Sequence, residues 1–328
     1  MHAPDGFLNA GTAVASGAVS AGTIGLALGQ AKHLLRDRQI PLAGLAAAFI
    51  FAAQMFNFPV VGGTTGHLLG GALAAILLGP HIGAVVVTIV VVVQALVFAD
   101  GGLTALGYNT LNMAIIPAYG GFALFRMFRT MMPVNTGGIV AATGLAAWAS
   151  VVLSAMGFSI EWLFGATAPV SFTNVFTAMV GIHVLIGIGE GVISAMAIGT
   201  VLASRPDLVF GVADLGGKGV ARTKTVPLRA FLLAGVLAAL FFGVVVSQFA
   251  FDAPDGLESV AEQTGIAESA SDHALGGSIF ADYATYGLEN EAVSLAVAGG
   301  AGTLIALAVG WGVFYAARKS DPSRRVVA

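Results

Sequence analysis

The chain has 328 residues, of which 57% are hydrophobic and 9% charged, with a formal net charge of −3 and a mean hydropathy of +0.90. That composition excludes a soluble domain, because runs such as 82–99 and 227–250 reach the roughly 20 apolar residues needed to cross a bilayer. With no cysteine, thiolate metal sites, disulfides and thiol catalysis are excluded as well, and nucleic acid is not expected as a partner.

In chain order, the first stretch is Met1-His2-Ala3-Pro4-Asp5-Gly6-Phe7, with no basic leader or cleavage site expected before the first span. The Met1 amine, the His2 backbone nitrogen and the His2 imidazole can close two fused chelate rings on one ion. They present three nitrogens in a plane, a set suited to Ni(II), Cu(II) or low-spin Co(II). An exposed terminus with a histidine by chance reads the same way, so the rest of the chain must decide. If the amide nitrogen ligates, it loses a proton on binding, and affinity should fall as pH drops.

The apolar periodicity predicts an all-α polytopic transmembrane helix bundle of about nine spans, at 9–35, 41–57, 64–79, 80–98, 106–127, 136–163, 172–203, 227–250 and 292–316. Residues 1–203 read as a seven-span core and 204–226 as a cytoplasmic linker. Residues 227–316 read as a two-span accessory module with an external acidic loop, and 317–328 as a cytoplasmic tail. The 45 glycines fit close helix packing, and Gly62-Gly66-Gly70 has small-xxx-small spacing. With nine spans, all 14 basic residues fall on one face. By the positive-inside rule that face is cytoplasmic, the N-terminus is outside and the C-terminus inside. Residues 251–291 would then be external; they carry nine acidic residues and no Lys or Arg, and repeat the Ala-Pro-Asp-Gly of 3–6 at 253–256. Such a segment could be a plain solvated loop or could concentrate cations.

Of the six histidines, His33 and His81 fall near the cytoplasmic face and His273 in the acidic loop, where it is expected to be solvated. His67 follows a glycine-rich stretch on the outer side. If spans one and three pack together, its imidazole could complete the three terminal nitrogens as a fourth in-plane donor. A histidine at a helix start is otherwise a cap. His183 and Glu190 lie seven residues apart, so they share one face of span seven, and an ionisable group inside a span is a functional candidate by default. That pair could relay protons, bind a cation in transit or hydrogen-bond a neighbouring span. Gly216-Gly217-Lys218-Gly219 has neither the spacing nor the hydroxyl of a nucleotide-binding P-loop, so the chain is not expected to hydrolyse ATP.

Four strings together resemble the CbiM/NikM family, the substrate-binding membrane components of cobalt and nickel energy-coupling factor transporters. They are Met1 to Leu8, Gln54 to Val60, Gly62 to Gly71 and Gln94 to Leu103, and His183 to Gly191 resembles the family's last core span. The likeness covers about residues 1–203, with Ala3 where the family often has Ile or Met. It implies that the Met1 amine, the His2 amide and imidazole and the His67 imidazole bind the ion. Asp5, Asn57 and Thr64 match positions expected to orient those ligands and cover the ion. Residues 227–316 resemble the two-span accessory module of these systems, here fused, and Pro254-Asp255-Gly256-Leu257-Glu258 resembles the motif of its PDGLE domain.

The expected function is capture of Ni²⁺ or Co²⁺ from outside the plasma membrane as the specificity component of an ATP-driven transporter, with no organic cofactor. ATPase subunits and a transmembrane coupling subunit would be the partners, alongside membrane lipid. The alternative is a self-sufficient proton-coupled carrier using Glu190 and His183. No assembled nucleophile, base or catalytic metal motif points to an enzyme.

Overall fold

The computed structural model describes residues 1–35, 37–216 and 225–320. Six of the basic residues used for topology (Arg36, Lys218, Arg222, Lys224, Arg324 and Arg325) lie outside the described residues, as does the tail from 321.

Helix α1 (Ala10–Leu34) begins where the Asn9 side chain accepts from Thr12 N, an N-cap bond. After it come α2 (Gln39–Gln54), strands β1 (Phe58–Val60) and β2 (Thr64–Gly66), α3 (Gly71–Leu78) and α4 (Pro80–Val93). A π-helical turn, Gln94–Phe98, extends α4, and a second, Leu111–Ile115, joins α5 (Leu106–Thr110) to α6 (Ile116–Met131). The long helices α7 (Thr136–Gly165) and α8 (Phe172–Ser204) pack along each other, and α6 packs on α7. Beyond the linker, α9 (Leu228–Val244) and α11 (Glu291–Lys319) pack on each other and on α2, with the short α10 (Gly256–Thr264) between them in sequence.

Among the described residues, seven helical stretches are long and apolar enough to cross a membrane: Ala10–Leu34, Pro80–Phe98, Leu106–Met131, Thr136–Gly165, Phe172–Ser204, Leu228–Phe249 and Glu291–Lys319. The expected span at 41–57 is the 16-residue α2, buried along most of its length. The expected span at 64–79 is not one helix. Its first part is β2, paired antiparallel with β1, and only the eight residues of α3 are helical. Glycine explains the break: Gly62 and Gly63 turn the hairpin at φ 88° and 76°, and Gly70 enters α3 at φ 79°, in the left-handed region. The Gly62-Gly66-Gly70 spacing therefore builds a hairpin and a helix entry, not a helix–helix contact. Among the described residues α3 turns back directly into α4 at Gly79, a re-entrant arrangement tolerated where irregular backbone is enclosed by protein.

The two ends of the bundle differ in charge. At one end Arg38 and Arg205 share Asp207, at 2.9 Å and 2.8 Å, Arg129 holds Asp214 at 2.5 Å, and Arg318 pairs with Asp37. These arginines hold both aspartate carboxyls, Asp207 and Asp214, below their ordinary range. His81 bonds Tyr119 at 2.9 Å beside a cleft of about 500 Å³ that Arg38, Arg126 and Arg129 also line. At the opposite end of α7, Asn9 N donates to Gly165 O at 2.8 Å, which ties the N-terminal segment there.

The α9–α11 crossing depends on bare backbone: a Cβ at Gly299 would lie 1.9 Å from Gly243 O. Gly299→Ala is expected to cost about 1–3 kcal/mol through overpacking. The check is the melting temperature of the detergent-solubilised chain, and an unchanged value would refute so close a crossing.

Candidate metal centre

The N-terminal segment runs extended into the bundle because its backbone is held on three sides. The Asn109 carboxamide makes a two-bond clamp on Ala3, accepting from Ala3 N and donating to Ala3 O, both at 2.9 Å. Asp5 accepts from Leu103 N at 3.1 Å and Thr104 N at 2.6 Å, while Thr167 Oγ1 donates to the carbonyls of Gly6 and Phe7. Gly102 lets the loop after α4 approach this closely, since a Cβ there would lie 2.2 Å from Asp5 N. Asp5, expected to orient ligands, thus acts on them through the backbone it staples.

These restraints deliver Met1 and His2 to the end of the β2–α3 connection. Met1 N lies 2.6 Å from His67 Nε2, and the His2 and His67 rings stack with centroids 5.5 Å apart at 20°. His67 stands between β2 and α3, so the donors meet through the inserted N-terminal segment and not through packing of spans one and three. Its Nδ1–H donates to Leu68 O at 3.0 Å, which leaves the Nε2 lone pair facing the amine.

A chain of carboxamides sets the tautomer of His2. Leu69 O can only accept, so Gln54 Nε2 donates to it at 3.0 Å and Gln54 Oε1 accepts from Gln94 Nε2 at 2.8 Å. Gln94 Oε1 must then accept from His2 Nε2–H at 2.9 Å, leaving Nδ1 with its lone pair. Nδ1 is the nitrogen that closes a six-membered ring with the His2 amide. Burial pushes the His2 imidazole down to about 4, against the pull of Asp100, whose Oδ1 lies 3.3 Å from Nδ1. Asp100 itself receives Tyr283 Oη–H at 2.6 Å.

Asp255, at the start of α10, contacts the Met1 amine and lies 3.5 Å from His67 Nε2. Burial pushes its carboxyl up, but the Met1 ammonium and His67 overcome that and hold it well below the usual carboxylate range. Sequence reasoning left this residue without a role, and the available signal was the repeated Ala-Pro-Asp-Gly string. Beside Met1, His67, His183, Asp255 and Gly256 is a void of about 10 Å³, room for one water-sized particle.

The other sequence candidates divide. Asn57 lines the same cavity as His2 and His67, and its carbonyl accepts from Phe251 N at 2.9 Å. Thr64 turns away from the donors: its hydroxyl pairs with Ser259 Oγ at 2.9 Å. His183 and Glu190 do share a buried face of α8, and each serves backbone. His183 Nδ1–H donates to Met179 O at 2.7 Å. Glu190 accepts from Leu69 N at 2.5 Å and Gly70 N at 2.9 Å, at the N-terminus of α3. His273 is half-buried, with Nδ1 accepting from Leu275 N at 3.0 Å and Nε2 enclosed, contrary to the solvated position expected. A further carboxylate inside a helix is Glu161 of α7, which accepts from Asn112 Nδ2 at 2.5 Å.

His2 and His67 open onto a cavity of about 990 Å³ whose wall includes Asp100, Asp252, Asp255, Glu258, Glu262 and Glu291 and, among the described residues, no Lys or Arg. Among the described residues no group of three or more His, Cys, Asp or Glu side chains is placed to hold a metal ion. A metal reading therefore needs the amine and amide nitrogens, and these are the groups the N-terminal segment brings to His67.

Comparison with known proteins finds matches for two parts of the chain. Residues 2–208 match a family model described as the CbiM cobalt uptake substrate-specific transmembrane region, and residues 229–319 match the PDGLE domain. A putative metal transport protein of Haloquadratum walsbyi is 45% identical over 210 residues, covering 64% of this chain and 94% of that protein. A putative fused nickel transport protein of Archaeoglobus fulgidus is 34% identical over 319 residues, covering 97% and 99%. A crystal structure of a transition metal transporter aligns with TM-score 0.56 at 28% identity, over 66% of this chain and 99% of that one.

Proposed function

We propose, from the premise that this chain belongs to the CbiM family, that it captures Ni²⁺ or Co²⁺ on the Met1 amine, the His2 amide and Nδ1, and His67 Nε2. As a family member it is a nickel/cobalt transport component and a membrane transporter component rather than an enzyme. The observation that carries the donor set is the approach of Met1 N to within 2.6 Å of His67 Nε2. The tautomers support it: His67 Nδ1–H and His2 Nε2–H are both engaged, which leaves the two ring nitrogens needed for ligation unprotonated. Neutral imidazole binds metal with the smallest proton cost.

The site faces the outside of the plasma membrane in this reading, because the arginine-paired end of the bundle is the opposite one and basic residues favour the cytoplasm. The acidic cavity would then raise the local concentration of cations at the entrance. Energy comes from separate ATPase subunits through a transmembrane coupling subunit, with the basic cleft at the cytoplasmic end offering a surface to such partners.

His67→Ala is the direct test. Its affinity for Ni²⁺ in calorimetric titration of the purified chain should fall at least about 100-fold, given that even supporting partners of metal ligands are worth 10–100-fold. Wild-type affinity in that variant would sink the donor set.

A further inference from the structure

Asp255 belongs to the accessory region, yet its carboxylate reaches donors at the proposed centre. Its Oδ1 accepts from Leu257 N at 2.8 Å and Glu258 N at 2.9 Å, and the Glu258 carboxylate accepts in return from Asp255 N at 3.3 Å. That reciprocal cap fixes the carboxylate on the first turn of α10. The free oxygen, Oδ2, is the one that contacts Met1 N and stands 3.5 Å from His67 Nε2.

Separate contacts set the depth of α10. Thr65 N donates to Pro254 O at 2.8 Å and Thr65 Oγ1 to Ala253 O at 2.9 Å, so β2 holds the Asp255 turn beside His67, which follows the strand. Below the turn, a Cβ on Gly256 would lie 2.4 Å from Ile186 Cδ1 and 3.1 Å from His183 Cε1. Only a glycine lets the turn sit this far into the bundle.

A divalent ion on three neutral nitrogens and one anionic amide nitrogen keeps a net positive charge, which an adjacent carboxylate stabilises. We propose that Asp255 is the retaining residue of the centre: its Oδ2 supplies the counter-charge over the loaded ion, so the accessory region governs how long a captured ion stays. This rests on the donor set proposed above.

The test is release of Ni²⁺ from the full chain with native Met1, followed by stopped-flow absorbance after a chase with excess EDTA. Asp255→Asn keeps the helix cap, since Asn caps as well as Asp, and removes only the charge. It should release the ion about ten- to a hundredfold faster than wild type. Asp255→Glu keeps the charge and should recover part of the slow release. Glu258→Gln removes a neighbouring charge from the same cavity and should release no more than a few-fold faster. Release from Asp255→Asn within twofold of wild type overturns the proposal. So does equal acceleration in Glu258→Gln, which would indicate a diffuse acidic field, and so does loss of binding in both Asp255 variants, which would make shape rather than charge decisive. A wild-type chain that takes up no Ni²⁺ would instead sink the donor set itself.

Discussion

Three extra alanine residues ahead of Met1 are expected to lower Ni²⁺ and Co²⁺ affinity by at least about 100-fold while removing no side chain. The extension turns the Met1 amine into an amide and moves the histidine to the fifth position, out of reach of a fused chelate from the new amine, so the five-membered ring loses its terminal donor. Sterics act in the same direction. Met1 is 5% exposed and its nitrogen is packed against His67 and Asp255. The adjoining void, at about 10 Å³, has no room for another residue. The added residues must displace the N-terminal segment or the α10 turn. Calorimetry gives the affinity and visible absorption gives the ligand field. Equal affinity and an unchanged spectrum in the two versions would show that the terminus is not the site.

Glu190→Gln is expected to be the most damaging single substitution away from the donors, and to damage binding and stability together. The carboxylate accepts from the two consecutive amides that open α3, Leu69 N and Gly70 N. A glutamine offers one acceptor oxygen to two donors and sets its own NH₂ against the other. A hydrogen bond to a charged group contributes about 1.5–3 kcal/mol, and a buried donor left unpaired costs about 1–3 kcal/mol. A loss of roughly 3 kcal/mol follows, with the backbone beside His67 released at the same time. A proton-relay role predicts a different result: transport abolished in Glu190→Gln while metal affinity and melting temperature stay at wild-type values. Measuring all three separates the two roles.

Much of this arrangement is legible in the residues before any coordinates. Apolar runs and the gathering of arginines mark the long helices, because bilayer thickness and charge cost act on composition directly. The chelating potential of Met1 and His2 is legible too, since ring size follows from covalent chemistry. The stretch from Thr64 to Leu78 misleads because it is apolar enough for a span, and hydropathy does not register Gly70 at positive φ, nor Gly62 and Gly63 just ahead of it. Glu190 reads as a buried charge looking for a transport role, and its partners are backbone amides 120 and 121 residues away that carry no side-chain signal. Asp255 is hidden for a related reason. Pro-Asp-Gly is a common turn, and only the pairing of β2 with residues 253–255 shows what that turn leans on.

That pairing also bears on assembly. The α10 turn and the β2 hairpin belong to regions that match two separate family descriptions, at residues 2–208 and 229–319, joined here in one polypeptide. A contact between subunits is won by collision and lost by dilution in the bilayer. A covalent tether replaces that with an effective concentration of about millimolar, so even a weak contact between the α10 turn and β2 stays largely made at any expression level. It also fixes one α10 turn to each β2 hairpin.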